Sequence, residues 1–114
     1  MNEVYEVAQS FNEYLLKLPK GCHLIANMLR ENNIELAMQN IYNFSVGLSW
    51  LEEAVVLLNN NDIDYKFDFQ NVVFFLEKIN EEIEQKNYLQ VATIFEDIIS
   101  KFFSNVELIK QIKH

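Results

Sequence analysis

Glycine, proline and cysteine are almost missing from this chain: its 114 residues hold two, one and one of them. A β-protein of this length would spend many more glycines and prolines on its turns, so their scarcity points to long helices with few connections. The single cysteine, Cys22, excludes an intrachain disulfide and fits a reducing compartment. It falls in the apolar register of its helix, where a buried, inert thiol is expected. Basic residues are also few, nine against 17 acids, for a net charge of −8. Nucleic-acid binding needs a cationic footprint to displace counterions from phosphates, and an anionic membrane asks for the same sign, so neither is expected as a partner. No uninterrupted run approaches the roughly 18–20 apolar residues of a membrane span. The opening Met1-Asn2-Glu3-Val4-Tyr5-Glu6 is acidic, which is wrong for a signal or transit peptide. A cytoplasmic protein is the expectation.

What the chain does have is apolar residues, half of the total. That is enough for one domain, 1–114, to bury a core without staples. From Val4 the apolar positions run Val4, Ala8, Phe11, Leu15, Leu18, Cys22, Ile25, Leu29. Steps of four and three alternate without a miss, the seam of an amphipathic helix lying nearly parallel to a neighbour. The register crosses Pro19 and Gly21, which predicts either one helix over 3–31 kinked at Pro19 or two nearly collinear helices; the unbroken seam favours the kink. Asn32-Asn33 ends it, with Asn33 expected in the left-handed conformation. A second helix follows from Ile34 to about Asn59 on the seam Ile34, Ala37, Ile41, Phe44, Leu48, Leu51, Val55, Leu58. Asn59 to Asp64 reads as a loop. A third helix, capped by Asp68, runs through Phe69, Val72, Leu76, Ile79 and Ile83 to about Lys86, and Asn87 is expected to close it as Asn33 closes the first. The fourth is predicted from Tyr88 to about Ile112 through Val91, Phe95, Ile98, Phe102, Val106 and Ile109, with Val106 one step off the repeat.

These four helices form two similar hairpins 54 residues apart. Arg30-Glu31-Asn32-Asn33-Ile34 aligns with Glu84-Gln85-Lys86-Asn87-Tyr88, and the apolar seams on both sides align with it. Short turns make successive helices antiparallel neighbours. The expected fold is therefore all-α, an up-down-up-down four-helix bundle.

Chemistry is harder to find. His23 and His114 are the only imidazoles, and neither is preceded at three residues by a Glu, so the di-iron pattern is absent. Zinc would need more Cys or His. Ser10, Ser45, Ser49, Ser100 and Ser104 have no base in their sequence context, and no Gly-rich loop could cradle a phosphate. The pairs Glu52-Glu53, Glu81-Glu82 and Glu96-Asp97 diverge by about 100° on a helix and read as solvated outer faces. No catalytic residue, metal ligand or cofactor is assigned, and no enzyme activity is expected.

The second helix nevertheless carries more apolar surface than its seam needs. Met38, Tyr42, Val46 and Trp50, spaced by four, form a second stripe, with Val56 and Leu57 beyond it; Phe74, Phe75 and Phe103 also lie off their seams. Most of this is expected to be ordinary core, and the remainder a groove or self-association face. Tyr42, Val46 and Trp50 are the candidate partner-binding residues, since Tyr and Trp are the types that anchor interfaces. Gly47, between them, weakens a helix by about 1 kcal/mol, which the close approach of another helix would explain.

Three segments carry a family resemblance: Gly47-Leu48-Ser49-Trp50-Leu51-Glu52-Glu53, preceded by Tyr14-Leu15-Leu16-Lys17-Leu18-Pro19 and followed by Tyr88-Leu89-Gln90-Val91-Ala92-Thr93-Ile94-Phe95-Glu96-Asp97. Through them the chain resembles uncharacterised small helical-bundle proteins of low-GC Gram-positive bacteria, a likeness that implies the fold and no activity. Ile34 to Leu58 and the all-helical layout are more distantly similar to the flagellar export chaperone family, whose bundles hold flagellin termini; this chain departs from it in the long first helix around Pro19. That likeness implies protein binding. The leading expectation is a non-enzymatic interaction module, adaptor or chaperone-like, that takes a protein partner or a second copy on the Tyr42–Trp50 face. The alternative is a small-molecule- or metal-binding bundle with enzymatic activity, which would need acids at inward positions; the seams contain none.

Overall fold

The four-and-three seam of the N-terminal third becomes one uninterrupted helix, α1 (Asn2–Arg30), which passes through Pro19. Proline removes the hydrogen bond to the carbonyl of Leu15 and crowds the preceding turn, at about 3 kcal/mol. Leu15, Leu18, Cys22 and Ile25 are all buried on either side of it, so packing carries the helix across the break. The computed structural model describes residues 2–110, with an overall extent of 45 × 22 × 21 Å; His114 and Ile112 lie outside the described residues. The remaining helices are α2 (Ile34–Asn60), α3 (Phe69–Glu84) and α4, which consists of the consecutive segments Tyr88–Thr93, Ile94–Ile99 and Ser100–Ser104. No strand occurs among the described residues. The architecture is the expected all-α helical bundle.

Three helices end in the same way. Asn32, Asp62 and Lys86 adopt φ of 62°, 67° and 58°. Around them the amides of Asn33, Ile63 and Asn87 reach back to the carbonyls of Met28, Leu58 and Glu82 at 2.8, 2.9 and 2.8 Å. This is the Schellman arrangement, in which a left-handed residue lets the chain satisfy the last carbonyls of the helix. The left-handed residue is thus Asn32 rather than Asn33, and Lys86 rather than Asn87. Asn32 and Lys86 are themselves 54 positions apart, so the repeat extends to turn geometry although only one of the two is a residue type that favours it. Asp68 caps α3 as expected, its carboxylate accepting from the amide of Asn71 at 3.2 Å.

The fourth helix departs from expectation. It ends at Ser104, not near Ile112, and its middle segment Ile94–Ile99 is π-helical. A π turn inserts an extra residue per turn and shifts the inward face by one position. Beyond Phe95, Ile99 and Phe103 are buried, while Ile98, assigned to the seam, is half exposed and Phe102 sits at the core's margin. The wider turn explains why Phe103 looked surplus in the sequence and Val106 looked out of step.

α1 and α4 form the spine. α1 packs on α2 along one side and on all three segments of α4 along the other, and α3 packs on α4. α2 meets α4 through Phe44, whose ring lies edge-on to Phe95 and Phe103 at 5.3 and 6.2 Å. Among the helix pairs, α2 packs most extensively on α1. After Ser104 the chain continues as a strap without regular secondary structure over 106–110. Asn12 holds it by both halves of its amide, donating to the carbonyl of Ile109 at 3.0 Å and accepting from its N–H at 2.8 Å. The Tyr65 hydroxyl donates to the carbonyl of Glu107 at 2.6 Å.

Candidate interaction face

The seam of α2 faces inward as read: Ala37, Ile41, Phe44, Leu48, Leu51, Val55 and Leu58 are buried. The second stripe divides. Met38 packs against the core. Tyr42 and Val46 stand in solvent at 68 % and 52 % exposure, and Trp50, at 37 %, lies at the boundary. Val56 and Leu57 extend the exposed apolar surface toward the end of the helix. Of the residues expected to be mostly core, then, Tyr42 and Val46 belong to the surface.

α1 shapes the edge of this face. Tyr14 lies edge-on to Trp50 with ring centroids 6.1 Å apart, and Phe11 is tilted against the same indole at 6.4 Å. The Tyr14 phenol reaches α2 at Gly47, where a Cβ would overlap its oxygen and stand 2.6 Å from Cζ. Gly47 is therefore explained by a side chain from α1 rather than by direct contact of two helix backbones. Burial pushes the Tyr14 hydroxyl above its ordinary pKa, with the nearby Cys22 adding to the shift. The phenol packs between Trp50 and Gly47.

A polar cluster invisible to sequence reading joins the other face of α1 to α4. His23 Nε2 shares a hydrogen bond with Ser100 Oγ at 3.2 Å, and its Nδ1 stands 3.7 Å from Glu96 Oε2. The Arg30 guanidinium donates to the same carboxylate oxygen at 2.6 Å. The Arg30 hydrogen bond and charge, with His23, hold Glu96 below the usual carboxylate range. Ser100, His23 and Glu96 so stand in the order of a hydrolytic triad, with Ser100 buried at 4 % exposure. The cluster works as a clasp between helices. It corrects two sequence readings: Glu96 does not sit on a merely solvated face, and Ser100 does have a base beside it. The partners are 77 residues apart, so no local pattern could reveal them.

Two further features bear on partner type. Among the described residues no three His, Cys, Asp or Glu side chains are grouped to hold a metal ion. α2 is long and apolar enough by length and composition to cross a membrane, an outcome that counting uninterrupted runs does not anticipate. The reason is that it is apolar on two faces, one of them committed to the core.

The molecule is thus defined as a helical bundle whose second helix presents an apolar outer face beside an α1-supported tryptophan. The chain belongs to the DUF8042 family, a domain of unknown function, whose model matches residues 6–109. No curated protein and no solved structure matches it.

Proposed function

We propose that the domain is a non-enzymatic protein-interaction module of the cytoplasm, adaptor-like or chaperone-like, that binds a protein through the outer face of α2. The reading rests on one observation: Tyr42 and Val46 are exposed on a helix whose opposite face already supplies the core. A surface helix with one face in the core normally keeps its opposite face polar, and exposed apolar surface marks partner sites. Tyr42 and Trp50 contribute large, rigid area at low entropic cost. The acidic balance opposes nucleic acid and anionic lipid as the occupant. The likeness of Ile34–Leu58 to flagellar export chaperones points the same way.

The test is a photo-crosslinking amino acid placed at Tyr42 in the native cytoplasm, with the exposed α1 position Gln9 as control. A discrete protein adduct from position 42 and none from position 9 is expected. No adduct at 42, or the same adducts at both, would sink the reading.

A further inference from the structure

α2 contains no Lys or Arg in its 27 residues. Its acids are Glu35, Glu52 and Glu53, and among the described residues none of them takes part in a salt bridge. Glu52 and Glu53, with Val56, Leu57 and Asn60, line a shallow depression of about 390 Å³. It sits at the C-terminal end of the helix, the negative pole of its macrodipole, and the last turn has no basic residue. The depression therefore combines an apolar floor, a doubly acidic rim and the negative pole of a long helix. A Lys or Arg side chain fits all three, laying its methylenes on Val56 and Leu57 and its cation beside the carboxylates.

Building on the interaction reading above, we propose that the occupant of this face is a basic amphipathic helix. Its apolar side covers Tyr42, Val46 and Trp50, and one of its Lys or Arg side chains enters the depression between Glu52 and Glu53. Helix-on-helix docking of this kind uses apolar anchors for affinity and flanking charge for selection. A second copy of the chain is the poorer match: it would bring −8 against −8, and its own α2 has no cation to meet Glu52 or Glu53.

Trp50 is the sole tryptophan and lies on the face, so its fluorescence reports occupancy. The probe is a Trp-free Leu/Lys amphipathic peptide, with a Leu/Glu peptide of the same pattern as its counterpart. The Leu/Lys peptide is expected to shift Trp50 emission to the blue with saturation, and the Leu/Glu peptide is not. Val46→Asp, at an exposed position, should abolish the shift while leaving the circular dichroism spectrum unchanged. Glu52→Gln with Glu53→Gln should weaken binding roughly tenfold. Glu6→Gln with Glu13→Gln on α1, outside the residues that line the depression, removes the same net charge and should leave Kd within about twofold, as expected for solvent-screened charges.

Several outcomes overturn the proposal: no binding of the Leu/Lys peptide, equal binding of both peptides, binding that survives Val46→Asp, or equal loss from the two neutralised pairs. A dimer in sedimentation that Val46→Asp disperses would assign the face to a second copy instead. Each of these leaves the interaction reading standing if position 42 still captures a protein. Loss of that adduct, or the same adducts at positions 42 and 9, removes both.

Discussion

The two hairpins share a plan and put its outward positions to opposite uses. Tyr42 in the first corresponds to Glu96 in the second, at an offset of 54. Tyr42 points away from the bundle at 68 % exposure, whereas Glu96 turns back to α1 and bonds Arg30. Trp50 corresponds to Ser104, whose hydroxyl only caps the carbonyl of Ser100 in its own helix at 2.9 Å. The π segment accompanies the difference, since it rotates the second half of α4 and brings Ser100 to His23. One hairpin spends its outer surface on closing the bundle, and the other leaves an apolar face open. A shared apolar seam is enough to repeat a fold, while what it leaves outside differs between the two hairpins.

The largest effect that would test this contrast comes from its core members. Phe95 is fully buried against Phe44, and Phe95→Ala should cost about 3–5 kcal/mol in urea unfolding. Tyr42→Ala should change stability by no more than about 0.5 kcal/mol. A comparable cost at Tyr42 would mean that its face is structural.

Alkali probes the next level. Burial pushes the Cys22 thiol from 9.0 up to about 12, and burial followed by the Glu107 charge pushes the Tyr65 hydroxyl from 10.0 up to about 12. Both pKa values are raised on folding, so their contribution is complete below about pH 9 and is lost as pH rises toward 12, because the unfolded chain ionises first. Thermal midpoints should therefore fall over that window. Cys22→Ala should flatten the decline, and a thiol reagent should react with Cys22 only as fast as the chain opens. Rapid labelling at neutral pH would contradict its place in the seam.

The clasp gives the smallest change. Ser100→Ala removes one buried hydroxyl whose partner His23 can turn to water, at about 0.5–1.5 kcal/mol. Glu96, held below the usual range, contributes stability above its ordinary value that is lost as pH falls through the depressed one. Glu96→Gln should remove that acid-side loss from the melting curve. An unchanged acid limb would mean that the clasp does not distinguish the second hairpin from the first.

Much of the fold is legible in the chain because its causes are local. The periodicity of Val4 to Leu29 specifies a helix strong enough to override Pro19, and Asp68 announces its cap three residues ahead of the amide that it receives. Most departures arise where a distant partner decides, the left-handed turns being a local exception. Asn32 and Lys86 take the left-handed position one residue before the expected asparagines, since the Schellman bonds are counted from where the helix's last carbonyls fall. The strap 106–110 leaves the helix because Asn12 and Tyr65 offer its backbone hydrogen bonds from positions 97 and 42 residues away. The Tyr42–Val46–Trp50 stripe was visible as surplus, but spacing alone could not divide it between core and surface.

By itself the sequence determined four helices, their seams as far as Phe95 and the surplus apolar stripe of α2. These follow from steric preference and from the periodic need to remove apolar side chains from water. Only the tertiary structure decided the register beyond Phe95, the His23–Ser100–Glu96–Arg30 clasp and the exposure of Tyr42 and Val46. Those depend on which helices lie side by side. The chain's most apolar helix is left with a face, at Tyr42 and Val46, that its own bundle does not cover.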